Sequence, residues 1–239
     1  MAHFGIFEKY ASDKEWPVLA TNLIVEGESD QLYFEFASKL YAADFGKSLV
    51  GKDLAIFPPG SGDDGGTYGV QEVFNVAWTL TSHDLDKDSR RIYRIAALLD
   101  GDPKGKYTAN SIVGSHRKIK MWRDIFVLHR IFPRKATDCR AVQKQVENAN
   151  SQWKNLFTII EDLFSEELIE LFSNEHPQYV KNVTWGDGTV APYHIQFQPD
   201  GKTAFRRFVF ANADLESIAP LIEVLRSLRF WMGLSPDGV

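Results

Sequence analysis

The chain of 239 residues is 44% hydrophobic and 13% aromatic, and it carries a formal net charge of −5. This composition excludes an intrinsically disordered protein, and the apolar stretches fall short of the roughly 20 residues that a membrane-spanning helix needs. The N-terminal residues lack the pattern of a secretory signal. Cys139 is the only cysteine, which excludes an internal disulfide and a multi-cysteine zinc site. We therefore expect a folded, cytoplasmic protein without a membrane segment.

The first 130 residues alternate between short apolar runs and segments in which apolar residues have helical spacing. Strands are predicted at 22–26, 53–57, 92–99 and 124–129, and helices at 29–43, 68–80 and 107–118. Strands that are joined by helices pair in parallel. This order therefore predicts an α/β fold with a mostly parallel sheet flanked by helices.

The pattern changes after residue 135. Residues 140–171 are predicted to be largely helical, and 183–210 to form a β-hairpin or a short antiparallel sheet with turns at 186–188 and 200–201. A last helix is predicted at 215–231. We expect a core domain at 1–135 and, at 136–239, a smaller C-terminal α+β region with a regulatory or dimerising role.

Acidic residues follow two of the predicted strands directly. Glu26 ends the first apolar run, and Asp100 and Asp102 end the third. Functional groups of open α/β folds gather at the carboxyl edge of the sheet, so these three carboxylates are expected to form one site. Such a cup of oxygen ligands suits Mg²⁺ or Mn²⁺. Asp30 lies four residues after Glu26, one helical turn further on, and can address the same ion.

A basic tract lies between residues 117 and 144. It contains nine lysines and arginines and only two acids, Asp124 and Asp138. A basic segment within an acidic protein is typical of a surface that contacts phosphate backbones. The alternative is an ordinary solvated helix face, and both interpretations stay open. The residues expected to bind nucleic acid are Lys104, Lys106, Arg117, Lys118, Lys120 and Arg123.

These motifs together resemble the TOPRIM domain, a Rossmann-like fold shared by topoisomerases, bacterial primases and OLD-type nucleases. The resemblance covers about residues 20–130, and the segment Ile24-Val25-Glu26-Gly27-Glu28-Ser29-Asp30 is most similar to the OLD-like nuclease branch. It implies that Glu26 is a metal ligand or acid/base group and that Asp100 and Asp102 are metal ligands. Asp30 would bind a second metal.

One feature departs from the OLD-like pattern, in which an acidic patch and a lysine follow the fourth strand. Here residues 129–135 are basic and contain no acid. Spacing does not choose among the lysines that could stabilise the transition state: Lys104, Lys106, Lys118, Lys120 and Lys135. One metal is therefore better supported than two.

Other classes fit the sequence less well. The glycine-rich loop 60–66 lacks the Gly-Lys-Ser/Thr ending of a P-loop, and Lys104 occupies the position where a HAD-type phosphohydrolase has Thr or Val. The chain is too short for a topoisomerase, and it lacks the zinc-binding cysteines of a primase. A non-catalytic nucleic-acid-binding or scaffold protein remains the alternative.

The leading expectation is a metal-dependent endonuclease that acts on DNA, RNA or tRNA. Stand-alone TOPRIM proteins of this size are similar to the toxic effectors of bacterial anti-phage defence, in particular PARIS-like systems. That resemblance implies a separate ABC-type ATPase as partner, with control by this partner or by homodimerisation.

Overall fold

A parallel sheet organises the N-terminal half of the computed structural model, which describes residues 5–60, 65–153, 156–184 and 193–239. The strands are β1 (Thr21–Ile24), β2 (Leu54–Phe57), β3 (Arg94–Leu99) and β4 (Ile125–Val127). Their spatial order is β2-β1-β3-β4, and every pairing is parallel. The predicted α/β class with a mostly parallel sheet flanked by helices is confirmed.

Helices cover both faces of this sheet because its strands are apolar on both sides. Four helices belong to this half: α1 (Ile6–Asp13), α2 (Glu28–Phe45), α3 (Gly66–Thr81) and α4 (Pro103–Ser115). Side chains alternate between the faces. Leu23 and Val25 therefore enter one core with α2, whereas Ile24 enters the other core with α1, α3 and α4.

The C-terminal half is less helical than the sequence predicted. Its elements are α5 (Cys139–Ala149), α6 (Glu166–Glu175), β5 (Val180–Thr184), β6 (His194–Phe197), α7 (Gly201–Asn212) and α8 (Ala219–Trp231). Instead of one helical region over 140–171, short 3₁₀ turns at Ser151–Trp153 and Ile160–Leu163 separate α5 from α6. The apolar residues of this segment reach the core through turns rather than through one helix face.

The predicted hairpin is correct only in its first part. Strands β5 and β6 pair antiparallel, but the last part of the predicted β region, residues 202–210, belongs to the helix α7 (Gly201–Asn212). Phe205, Phe208 and Val209 have helical spacing and are buried. A Cβ at Gly201 would collide with the carbonyl oxygen of Tyr179, so glycine is required where α7 begins. The predicted turn at 186–188 lies outside the described residues.

Helix α8 joins the two halves of the chain through a common core. Trp231 stacks on Phe126 of β4 with ring centroids 5.8 Å apart, and α8 also packs against α2. The predicted boundary at residue 135 falls in the loop between β4 and α5. Within the described ranges, no helix is both long and apolar enough to cross a bilayer.

A buried arginine fixes α8 to the start of β2. Arg229 is 0% exposed, and its guanidinium donates two hydrogen bonds, of 2.7 and 2.8 Å, to the carboxylate of Asp53. It also donates to the carbonyl oxygens of Leu49 at 2.5 Å and Ser235 at 2.7 Å. This bidentate geometry compensates for the removal of the charge from water.

We expect Arg229→Met to lower the free energy of unfolding by about 1–3 kcal/mol, because it leaves the carbonyl of Leu49 and the partly exposed carboxylate of Asp53 without this donor. Arg140→Met is the matched control, since Arg140 is exposed on α5, and should change stability by less than about 0.5 kcal/mol. Urea unfolding of the two variants measures the difference. Equal stabilities would contradict the role assigned to Arg229.

Candidate functional site

Two carboxylates meet at the carboxyl edge of the sheet, where β1 and β3 lie side by side. Glu26 follows the end of β1 by two residues, and Asp100 directly follows β3. Oε1 of Glu26 accepts a hydrogen bond of 2.7 Å from the backbone N–H of Asp100. This bond holds the Glu26 side chain across two neighbouring strand ends. The structure thus brings together the acids that end the first and third strands.

Asp30 and Asp102 each begin a helix next to this pair. Oδ2 of Asp30 accepts from the backbone N–H of Gly27 at 3.0 Å, in the first turn of α2. Oδ1 of Asp102, the N-cap of α4, accepts from the N–H of Gly105 at 2.6 Å. In each acid the second oxygen bonds to no protein group in the described part of the chain. Each carboxylate is therefore held by the backbone while it keeps one oxygen available.

Two further residues, Glu161 and Lys202, belong to this cluster. Glu161 lies in the 3₁₀ turn Ile160–Leu163 and is 0% exposed. Lys202 lies in the first turn of α7, and its Nζ is 3.1 Å from Oε2 of Glu161. Oε1 of Glu161 is buried, and it has no hydrogen-bond partner among the described residues. The C-terminal half thus contributes an acid and a lysine to the edge where β1 and β3 end.

Sequence reasoning missed both residues because it assigned the wrong local structure to them. Glu161 was placed in a long helix and Lys202 in a β-hairpin. The basic segment 129–135 contains no acid, as its sequence indicated, but Glu161 reaches the cluster from further along the chain. Lys104 interacts electrostatically with Glu26, whereas the lysine that pairs with an acid of the cluster is Lys202. The OLD-like pattern, which has an acidic patch and a lysine after the fourth strand, was the one signal in the sequence that could have pointed to Glu161 and Lys202.

Burial and repulsion raise the pKa values of the acids. Burial raises the pKa of Asp30 to about 7, and the charge of Glu161 adds to the effect. Burial likewise raises the pKa of Glu26, and that of Asp100 well above its ordinary value. Burial would lower the pKa of Lys202, but three surrounding carboxylates, led by that of Glu161, outweigh it and raise this pKa. The cluster therefore holds more negative charge than one lysine neutralises.

The donor set fits a hard divalent cation in its chemistry. Carboxylate oxygens are the ligands that Mg²⁺ and Mn²⁺ prefer, and the buried, unpartnered Oε1 of Glu161 adds one more. As they stand, however, no three Asp, Glu, His or Cys side chains within the described ranges are close enough together to hold a metal ion. Binding of a cation would therefore require the acids to move towards one another.

A cleft of about 700 Å³ opens beside the cluster. Its wall includes Asp100, Asp102 and Lys202 together with Phe157 and residues of β6. Within this wall, Nδ1 of His194 lies 3.0 Å from Oδ2 of the buried Asp162. This pairing fixes the orientation of the imidazole at the cleft. The space beside the acids is thus bounded by charged groups and by aromatic groups.

The basic residues expected to bind nucleic acid lie in two regions. Lys104 is exposed at the start of α4, and Lys106 lines a cavity of about 300 Å³ next to His129. The other four line a cleft at the opposite edge of the sheet, where β1, β3 and β4 begin: Arg117, Lys118, Lys120 and Arg123. The structure therefore does not bring these four side chains to the acidic cluster.

We expect Asp30 to make stability depend on pH in the absence of divalent cations. Its pKa is about 7 in the folded protein and 3.8 ordinarily, so the folded state retains a proton that the unfolded state loses. Stability should therefore fall as pH rises from about 4 to about 7. Asp30→Asn removes this charge and should be more stable than wild type at pH 8, by roughly 1–3 kcal/mol.

Urea unfolding between pH 4 and pH 8 in EDTA measures this difference, which should vanish near pH 4. Asp44→Asn, an exposed position on the same helix, serves as control and should follow the wild-type curve. If Asp30→Asn is less stable than wild type at pH 8, burial and the charge of Glu161 do not destabilise the ionised form of Asp30 in the folded protein.

Comparison of the chain with protein-family models, with curated proteins and with solved structures finds no match. The geometry of the cluster at the carboxyl edge of the sheet is accordingly the basis for a functional conclusion.

Proposed function

We propose that this protein is a metal-dependent endonuclease built on a TOPRIM domain of the OLD-like type. The observation that carries the proposal is the convergence of Glu26, Asp30, Asp100 and Glu161 around Lys202, beside an open cleft. The parallel sheet and the chain order of the acids support the TOPRIM assignment. The OLD-like pattern has an acidic patch and a lysine after the fourth strand, and residues 129–135 contain no acid. In this proposal Glu161 takes the place of that acid and Lys202 the place of that lysine.

The proposed chemistry follows from the charge of the substrate. A phosphodiester repels nucleophiles because its oxygens are anionic, and Mg²⁺ or Mn²⁺ neutralises this charge and lowers the pKa of water. The residues that would hold the cation are Glu26, Asp30, Asp100, Asp102 and Glu161. Lys202 places a fixed positive charge at the cleft, where it would stabilise the negative charge that develops on the phosphate.

Glu26 has a second proposed role as acid/base group. Its Oε1 is held by the N–H of Asp100, and burial raises its pKa. A carboxylate whose pKa is closer to neutrality exchanges protons more readily at physiological pH. Asp100 and Asp102 then act mainly as cation ligands on the neighbouring strand end.

The biological setting is proposed from the resemblance to stand-alone TOPRIM effectors. We propose a cytoplasmic nuclease of bacterial anti-phage defence that cleaves DNA or RNA, including tRNA. An ABC-type ATPase is the proposed partner that restrains it, and homodimerisation through the 136–239 region is a further means of control. The resemblance extends to PARIS-like systems.

We expect the protein to cleave plasmid DNA or total tRNA with Mg²⁺ or Mn²⁺ and not with EDTA. Glu26→Gln and Lys202→Met should each lower the rate by about 100-fold or more, because the first removes a cation ligand and acid/base group and the second removes the positive charge beside the phosphate. The matched controls are Glu28→Gln and Lys181→Met, which change exposed residues and should retain wild-type rates. Gel assays of the products measure the rates.

Cleavage that persists in EDTA, or in Glu26→Gln, would contradict the metal-dependent mechanism. Absence of cleavage by the protein alone and by its assembly with an ATPase partner would instead favour a non-catalytic protein that binds nucleic acid. Gel-shift measurements on the same substrates identify that outcome.

Cation binding is expected to be detectable without activity. Mn²⁺ relieves the repulsion among the acids, so it should raise the free energy of unfolding by about 2.7 kcal/mol at a concentration 100 times its Kd. Asp100→Asn should abolish most of this gain, whereas Asp86→Asn, in the 82–91 loop outside the cluster, should retain it. Urea unfolding with and without Mn²⁺ provides the measurement. An equal gain in both variants would place the cation elsewhere.

A further inference from the structure

A second cleft, of about 740 Å³, lies at the amino edge of the sheet. Its lining includes Ala20, Arg94 and Asp124. Ala20 and Asp124 directly precede β1 and β4, and Arg94 is the first residue of β3. Strand β3 has six residues, so the two edges lie roughly 20 Å apart at about 3.3 Å per residue. This cleft is therefore separate from the acidic cluster.

Positive charge dominates the lining of this amino-edge cleft. Its cationic side chains are Arg91, Arg94, Arg117, Lys118, Lys120 and Arg123. Asp124 is the only carboxylate among the described lining residues, and it already pairs with Arg123 at 2.6 Å and accepts from the N–H of Lys120 at 2.9 Å. The other five cations form no ion pair with a carboxylate in the described ranges. The cleft thus has six cationic side chains against one carboxylate among its described lining residues.

Two arginines are positioned without using all of their donors. The guanidinium carbon of Arg91 lies 4.2 Å from the centroid of the Trp78 ring, and this stacking leaves its N–H groups free to bond in the plane. Arg94 donates from one nitrogen to the carbonyl oxygens of Arg123 and Trp231, at 3.0 and 3.3 Å. Burial lowers the pKa of both arginines, the charge of Asp124 partly offsets this effect, and Arg123 makes a smaller contribution in the same direction as burial. Both guanidinium groups therefore keep N–H donors that an anionic ligand could accept from.

The remaining wall of the cleft is apolar and aromatic. Ile92 is 46% exposed, and Tyr93 and Trp78 also line this wall. A ligand that matches both walls has a flat apolar part and several negative charges. The cleft volume lies in the range of pockets that hold small molecules, from about 300 to 1,000 Å³.

We propose that the amino-edge cleft binds a nucleoside polyphosphate, with the phosphates at Arg117, Lys118 and Lys120 and the base against Ile92 and Tyr93. Five unpaired cations around one concavity fit a compact polyanion better than an extended strand. Since this site lies at the other edge of the sheet, it does not depend on the proposed nuclease activity.

Isothermal titration calorimetry of the full chain with ATP tests the proposal, in EDTA so that no divalent cation links ATP to the acidic cluster. ATP should bind. Adenosine lacks the phosphates that would contact the cationic residues, and tripolyphosphate lacks the base that would contact the apolar wall, so each should bind at least about tenfold more weakly. The double variant Arg117→Ala/Lys118→Ala should weaken ATP binding by about tenfold or more. The matched control Lys39→Ala/Lys47→Ala removes two exposed charges elsewhere and should bind as wild type does.

Absence of ATP binding at millimolar concentration would overturn the proposal, as would equal losses in the two double variants. Tripolyphosphate that binds as tightly as ATP would overturn the assignment of the apolar wall to a base. A single-stranded oligonucleotide that binds through Arg117 and Lys118, and that ATP does not displace, would show the cleft to be a nucleic-acid surface instead. All four variant positions are exposed, so their folding is expected to be intact.

Discussion

Repulsion among carboxylates at one edge of a parallel sheet is the constraint on which the candidate site depends. Glu26 and Asp100 follow adjacent strands, so the sheet brings their charges together whether or not this favours folding. Backbone N–H groups hold Glu26, Asp30 and Asp102 in place, and Lys202 offsets part of the charge. Folding therefore concentrates a negative charge that a divalent cation would complement.

The length of the strands keeps the acidic cluster apart from the cationic residues at the other edge of the sheet. Acids gather where β1 and β3 end, and arginines and lysines gather where β1, β3 and β4 begin. The two groups are too far apart to neutralise each other across roughly 20 Å in water at physiological ionic strength. Each edge is therefore able to bind a ligand of opposite sign, and the small net charge of the whole chain conceals both.

Local prediction succeeded where apolar periodicity was strong and failed where contacts between distant segments decided the structure. The four parallel strands follow from buried apolar runs, and α2 and α3 follow from helical spacing. Residues 202–210 were misassigned because β-strand and helix signals overlap there, and packing of Phe205 and Val209 favoured the helix. Between α5 and α6, Ile160 and Leu163 lie in a 3₁₀ turn and are buried in the core, so the apolar residues of this segment do not form one helix face.

The sequence by itself determined the class of fold and most of the acidic cluster, because carboxyl ends of parallel strands share one edge. It predicted that Glu26, Asp30, Asp100 and Asp102 lie at one edge of the sheet, although it gave no distances between them. Arg117 and its neighbours lie at the other edge because they directly precede β4 in the chain, which the predicted order of elements already implied. Only the tertiary structure decided that Glu161 and Lys202 join the acidic edge. The reason is physical: these residues reach their positions through turns and packing between segments far apart in the chain, and such contacts leave no periodic signal in the sequence.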